Sequence, residues 1–359
     1  MAGWHEYCNQ IMQSNQYSRE SNFYIILFLS FLLLLNVNVY SQYPEKFDSL
    51  GPTVQSLSNN NKIIYFIDDG KVTDKPVVFI GGLGTSVRAI RLLDFLRSYR
   101  EELGLRLISI ERNGFGQTPF NPNFNMNTYA RDVIDIVNHL DIENFSLFGI
   151  SGGGPYASKI ASIIPERIES IHMAATIPVL GTKERCIEGK INNIYKDIIK
   201  YPMKYFTFSG DSPIHQIDGF QDTAYDEAAR TFYMNGQMAK IEPLDHELTL
   251  YCNEGVINTK SFSGSLYVYA GTADPLIGDS DIENWEKYYP NADIIKRIYP
   301  GEGHDVQYRH LDQILIDIKY KKNELLVCEN GKNLLLNSDQ LDHSDKYQFG
   351  LCVWQDSDI

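Results

Sequence analysis

Short, wholly apolar runs alternate with segments of helical periodicity along most of the chain, and that alternation leaves few architectures open. Pro76 to Ile80 (PVVFI), Leu105 to Ile110 (LRLISI), Phe145 to Ile150 and Glu169 to Ala175 are strand-length runs without an inside/outside alternation. Such runs suit parallel strands covered on both faces. Between them, Val87 to Arg100 carries helical spacing through Ile90, Leu93 and Leu96, and Thr128 to Leu140 through Val133, Ile134, Ile136, Val137 and Leu140. Pro155 to Ile164 is a small-residue helix stopped at Pro165. The expectation is an α/β chain with a mostly parallel sheet flanked by helices. Lys62 to Ile67 adds an earlier strand ended by Asp68-Asp69-Gly70, and Tyr43 to Asn61 reads as a polar, turn-rich approach to it.

The alternation breaks after Pro178. Residues 178–262 are richer in Tyr, Phe, Met and Lys and lack apolar strand runs. Strands resume at Ser265 to Ala270 and Ile294 to Tyr299, and Gln307 to Tyr320 reads as a last helix. The core is therefore expected in two parts, 42–177 and 263–320, with 178–262 as a helical cap insertion. Residues 321–359 hold two short apolar runs, Leu325 to Val327 and Leu351 to Trp354, and read as a small β-rich appendix.

Residues 1–41 form a separate leader. Phe23 to Leu35 (FYIILFLSFLLLL) has the length of a signal-peptide apolar region, and Val39-Tyr40-Ser41 offers a small residue before Gln42 for cleavage. Translation from Met12 would leave residues 1–11 as an over-extended start. The expectation is a periplasmic or secreted protein after cleavage. The alternative is a membrane anchor over residues 23–40, although the polar Asn36 and Asn38 make it short for a span. The net charge of -14 repels phosphate backbones, so nucleic acid is not an expected partner. Cleavage would leave Cys186, Cys252, Cys328 and Cys352 of the five cysteines. None has zinc-site spacing, and neither metal nor organic cofactor is expected. Cys328 and Cys352 could pair in an oxidising compartment, but two buried thiols are the simpler expectation.

The chemistry centres on Gly149-Ile150-Ser151-Gly152-Gly153-Gly154-Pro155, which fits G-x-S-x-G with a strand before it and a helix after it. A serine there sits on a sharp turn that lifts its hydroxyl out of the sheet. Gly149 and Gly153 leave room where strand and helix crowd together. The helix N-terminus brings unpaired N–H groups, with that of Gly152 as one donor for an oxyanion. A serine hydroxyl needs a base. Of eight histidines, only His304 follows a late strand directly, in Gly301-Glu302-Gly303-His304. His172 lies inside a strand and reads as structural, His139 at a helix end, His215 and His246 in the insertion, His310 on the last helix and His343 in the tail. The base needs a carboxylate to orient it. Asp274 ends the strand Ser265 to Ala270 within Gly271-Thr272-Ala273-Asp274-Pro275, with Asp279 the fallback, while Asp305 sits too close to the histidine in sequence to face its ring. A second oxyanion donor is expected from Gly81-Gly82-Leu83-Gly84-Thr85-Ser86, first Leu83 and then Gly84. That loop lacks the Lys-Ser/Thr ending of a phosphate-binding loop.

Over about Lys62 to Tyr320 the chain resembles the α/β-hydrolase superfamily. Glu111-Arg112-Asn113-Gly114-Phe115-Gly116-Gln117-Thr118 is similar to that family's D-x-R-G-x-G-x-S turn after its fourth strand. Gly149 to Ala157 is similar to a bacterial G-x-S-G-G-G-P-Y-A subgroup of hydrolases and esterases, some of whose members resemble this chain in carrying Cys328 and Cys352-Val353-Trp354 at the C-terminal end. The resemblance implies the α/β-hydrolase fold and the order Ser151, Asp274, His304. It implies hydrolysis of a small-molecule ester, or less readily an amide. Two departures stand out: the family's frequent His-Gly is Gly81-Gly82 here, and Gly152 stands where proline iminopeptidases usually carry Trp. An aminopeptidase of that kind remains an alternative, with Asp222, Asp226 and Glu227 to receive a substrate amine. A non-catalytic ligand-binding protein is the other. The insertion's aromatics, among them Tyr201, Tyr205, Phe206, Phe208, Tyr225, Phe232 and Tyr233, would line an acyl pocket or form the insertion's own core.

Overall fold

A computed structural model describes residues 52–59, 62–179, 186–187, 190–191, 242–254, 257–337 and 347–354. The leader, most of the insertion with the aromatics named above and Asp222, Asp226 and Glu227, and His215 and His343 lie outside the described residues. No helix among the described residues is long and apolar enough to cross a membrane.

Eight strands form the main sheet: β1 (Gln55–Asn59), β2 (Lys62–Asp69), β3 (Lys75–Ile80), β4 (Leu105–Ile110), β5 (Phe145–Ile150), β6 (Ile168–Ala174), β9 (Ser265–Gly271) and β10 (Asp293–Tyr299). Their order is β1-β2-β4-β3-β5-β6-β9-β10. The ladders from β4 to β10 are parallel, and β1 and β2 join antiparallel. Every residue of β4 and β5 is buried, which explains their unbroken apolar character. One core covers the face under α2 (Met126–His139) and α3 (Gly153–Ile163). A second lies under α1 (Arg97–Glu102), the 3-10 helix before it, and the last long helix.

Local differences from the sequence pattern have identifiable sources. β1 falls inside the stretch expected to be turn-rich. It is a mostly exposed edge strand, held by pairing to β2 rather than by hydropathy. The segment expected as a helix from Val87 to Arg100 runs as a 3-10 helix over Val87–Leu96 and becomes α-helical only in α1. The expected last helix is two, α7 (Val306–Arg309) and α8 (Leu311–Tyr320), after the short α5 (Asp279–Glu283) and α6 (Trp285–Tyr288). The break falls at His310 (φ -117°, ψ 27°), whose ring stacks on Tyr299 and whose Nε2 lies 2.9 Å from both carboxylate oxygens of Glu302.

Within the insertion, two short strands, β7 (Cys186–Ile187) and β8 (Lys190–Ile191), pair antiparallel, and α4 (Glu242–Asn253) packs into the first core. The appendix is a three-stranded antiparallel sheet of β11 (Glu324–Glu329), β12 (Lys332–Asn337) and β13 (Gln348–Phe349), in the order β12-β11-β13. The cysteines correct the expectation of buried thiols. Cys328 bonds to Cys352, and Cys186 to Cys252 at the end of α4. Connectivity depends on which Cα atoms the fold brings within about 4.4–6.8 Å, which spacing along the chain does not reveal. Here the two pairs stand at 4.8 Å and 5.9 Å.

Candidate active site

Strand β5 delivers Ser151 to the C-terminal rim of the sheet, where α3 begins. Its φ is +49°, a left-handed value that costs a non-glycine residue about 1–2 kcal/mol. The surroundings hold it there: its N–H donates to Ala174 O (3.0 Å), and its carbonyl accepts from Gly154 N (3.1 Å) and from Thr176 Oγ1. The expected crowding is real, and heaviest at Gly153. A Cβ there would come within 2.3 Å of Ile80 O, whereas one on Gly149 would meet nothing closer than 3.4 Å.

His304 Nε2 lies 2.9 Å from Ser151 Oγ, and His304 Nδ1 lies 2.8 Å from Asp274 Oδ2. An ionised carboxylate only accepts, so Nδ1 carries the proton and the Nε2 lone pair faces the serine hydroxyl. Asp274 is itself fixed, its Oδ1 accepting from Leu276 N (2.8 Å) and Ile277 N (3.2 Å), and its side chain is fully buried. The fallback Asp279 is exposed at the start of α5, and Asp305 faces Arg309 instead of the ring. The strand ends bearing Asp274 and His304 are zipped together. Ala273 N donates to Glu302 O (2.8 Å), Thr272 N to Tyr299 O (3.1 Å), and Gly301 N to Thr272 Oγ1 (2.8 Å). A Cβ on Gly271 would stand 2.1 Å from Glu302 O, so only glycine lets these loops meet.

The glycine-rich loop after β3 lies against the start of α3. A Cβ on Gly152 would be 2.7 Å from Leu83 N, which puts the backbones of the two expected donors side by side. Neither N–H donates to a partner among the described residues. Gly84 is a correction: its N–H donates to Glu247 Oε2 at 2.7 Å and cannot also serve an oxyanion. The acceptor comes from α4, 163 residues away, beyond the reach of any local pattern.

Arg112 completes this region. Its Nη2 donates to Gly82 O and to Thr85 Oγ1 (2.9 Å), and its Nη1 stands 3.0 Å from Glu247 Oε1. That last approach is too bent for a hydrogen bond, so charge rather than direction holds the pair. Burial pushes the Glu247 carboxyl above the usual carboxylate range, and the guanidinium opposes that push. Glu111 is buried behind the same loop, accepting from Val87 N (2.7 Å), and burial pushes its carboxyl up to about 8. The turn around it needs Gly116 (φ +56°), whose Cβ would overlap Glu111 Oε2. Arg112 was visible as part of a motif. Glu247 and Tyr251 carry a fainter signal in the sequence: Leu244, Glu247, Leu248 and Tyr251 share one face of α4, and an acid on an otherwise apolar face asks for a partner.

His172 is structural, as expected. It is buried in β6 between Ser170 Oγ (2.9 Å) and Tyr269 Oη (3.0 Å), and burial pulls its pKa down to about 3. His246, on α4, donates its Nε2–H to Phe124 O at 2.6 Å. His139 ends α2.

Residues 75–188 match a family model described as the alpha/beta hydrolase fold. A stretch of 99 residues is 31% identical to a serine hydrolase-like protein of Dictyostelium discoideum, covering 27% of this chain and 28% of that one. The chain thus spans well under a third of that curated relative. Among solved structures, MGS-M2, an α/β-hydrolase enzyme from a Medee basin deep-sea metagenome, superposes with a TM-score of 0.58 at 14% identity, over 74% of this chain and 95% of its own. A structure from work on carboxylesterases of the thaumarchaeon Nitrososphaera gargenis gives 0.54 at 18% identity, over 74% and 96%. At these identities the structures establish the fold alone.

Proposed function

We propose that this chain, which has the α/β-hydrolase fold, is a serine hydrolase cleaving an ester of a small molecule through an acyl-enzyme. The observation that carries the proposal is the hydrogen-bonded chain from Ser151 Oγ through His304 to Asp274, with links of 2.9 Å and 2.8 Å. Ser151 attacks the carbonyl carbon while His304 Nε2 takes the hydroxyl proton. Asp274 keeps the ring in the working tautomer and stabilises the imidazolium. The N–H groups of Gly152 and Leu83 receive the oxyanion. His304 then protonates the leaving alcohol, and a water that it deprotonates attacks the acyl-enzyme to release the acid. The mechanism requires no metal or organic cofactor.

An amide remains the secondary substrate class. The acidic residues that would favour an aminopeptidase, Asp222, Asp226 and Glu227, lie outside the described residues, and nothing among the described residues favours that reading. A non-catalytic binding protein has no need of a fully hydrogen-bonded serine, imidazole and carboxylate. We also propose export to an oxidising compartment, and the two disulfides support it.

The test is a panel of p-nitrophenyl esters of graded acyl length beside proline p-nitroanilide, using wild type and Ser151→Ala. Ester turnover that disappears with the hydroxyl supports the proposal. Turnover of the anilide alone, or esterase activity retained by Ser151→Ala, overturns it.

A further inference from the structure

We propose that α4 is the spacer that sets the separation of the two oxyanion donors, with Glu247 and Tyr251 as its positioning residues. The inference rests on the serine-hydrolase reading and adds residues to it. Glu247 and Tyr251 are four apart on one face of the helix, so they project together. Each reaches a different arm of the site. Glu247 Oε2 accepts the Gly84 N–H at 2.7 Å, next to Leu83, while Tyr251 Oη donates to Gly152 O at 2.8 Å. Glu247 is 2% exposed and Tyr251 3%, so neither bond is exchanged for one to water. Arg112, beside Glu247, holds Gly82 O and Thr85 Oγ1, and with Gly84 that fixes the loop on both sides of Leu83.

The helix itself is anchored to the core. His246 Nε2 meets Phe124 O at 2.6 Å, Glu254 pairs with Lys159 at 3.1 Å and accepts from Met126 N at 3.3 Å, and Cys252 is bonded to Cys186. Tyr251 also packs edge-on against Tyr156, and Tyr156 against Tyr129, in two T-shaped contacts. A helix inserted between β6 and β9 therefore touches both halves of the oxyanion site without touching the reacting atoms. Preorganised donors stabilise a developing oxyanion only when their spacing is held before the charge appears.

The experiment uses the full chain with p-nitrophenyl acetate, measuring kcat, KM, the pH–rate profile, Tm and the rate of Ser151 labelling by a fluorophosphonate. Glu247→Leu is expected to lower kcat by ~10–100-fold with KM within about 3-fold, a fraction of the loss that removing a whole donor brings. The pH–rate profile should not move. Glu247→Gln keeps an acceptor for the Gly84 N–H and should recover most of that loss. The double variant Glu247→Leu/Arg112→Met removes the guanidinium left unpaired, so its Tm should rise above that of Glu247→Leu while kcat stays low. If kcat returns together with Tm, the role is only structural and the inference falls. Should Glu247→Leu fail to fold, Tyr251→Phe, which removes one hydroxyl, carries the test: a ~3–10-fold loss in kcat supports the spacer role, and an unchanged kcat overturns it. Wild type that hydrolyses nothing and takes no label at Ser151 refutes the underlying serine-hydrolase reading, an outcome distinct from a labelled wild type with fully active variants.

Discussion

Gly152→Ala isolates the geometry of the oxyanion site from everything else about the elbow. The backbone there has φ -57°, ordinary for alanine, so the substitution adds no torsional strain. What it adds is one methyl group in occupied space, 2.6 Å from Tyr251 Oη, 2.7 Å from Leu83 N and 2.9 Å from Leu83 Cα. The Leu83 backbone must retreat by about 0.3–0.7 Å to bring its nitrogen to 3.0–3.4 Å, itself the tight end of observed Cβ contacts. Tyr251 must move as well, and its bond to Gly152 O ties it to the same place. Displacements approaching 1 Å in positioning groups cost up to ~10²-fold, and losing an oxyanion donor costs ~10²–10³-fold. We expect kcat to fall by ~10²-fold with KM little changed, read with a p-nitrophenyl ester at saturating concentration. Gly278→Ala serves as the control, since its Cβ would find nothing closer than 3.8 Å. Gly152→Ala with kcat within about 3-fold of wild type would refute the assignment of Leu83 and Gly152 as paired donors.

Asp274→Asn should leave the fold intact and lower kcat by up to ~10⁴-fold, the loss seen when the carboxylate of an unrelated serine protease is replaced in the same way; a drop of less than tenfold would mean that Asp274 does not orient the base. Glu111 titrates higher in the folded chain, at about 8, than in the unfolded one, near 4.5. Its protonated form favours folding, so its contribution is complete below pH 4.5 and is lost as the pH rises through 8. Glu111→Gln should therefore flatten the fall of Tm between pH 5 and pH 8, and identical slopes in the two proteins would contradict the shift. Cys186→Ser with Cys252→Ser opens a cross-link between residues 66 apart and should lower stability by about 2–4 kcal/mol in urea unfolding, with no change if the bond is absent from the protein.

The fold was legible because its strands are buried on both faces, and such strands leave unbroken apolar runs at β3, β4 and β5. The serine, the histidine and the acid were legible for a related reason: each follows a strand directly, so the parallel sheet brings all three to one rim. Features supplied from across the chain were not legible. Gly84 looked available because its acceptor, Glu247, belongs to a helix whose docking no local pattern specifies. The disulfides depended in the same way on tertiary proximity, and β1 on an edge pairing that polar residues satisfy as well as apolar ones. The break at His310 follows from a stacking partner and a carboxylate on another loop.

Covalent trapping tests the central claim most directly. Wild type, Ser151→Ala and His304→Ala would each be treated with a fluorophosphonate, digested with trypsin and mapped by mass spectrometry. A single adduct on the peptide spanning residues 132–159, absent from Ser151→Ala and strongly slowed in His304→Ala, is the predicted result. An adduct on a different serine, or equal labelling when the imidazole is gone, would contradict it.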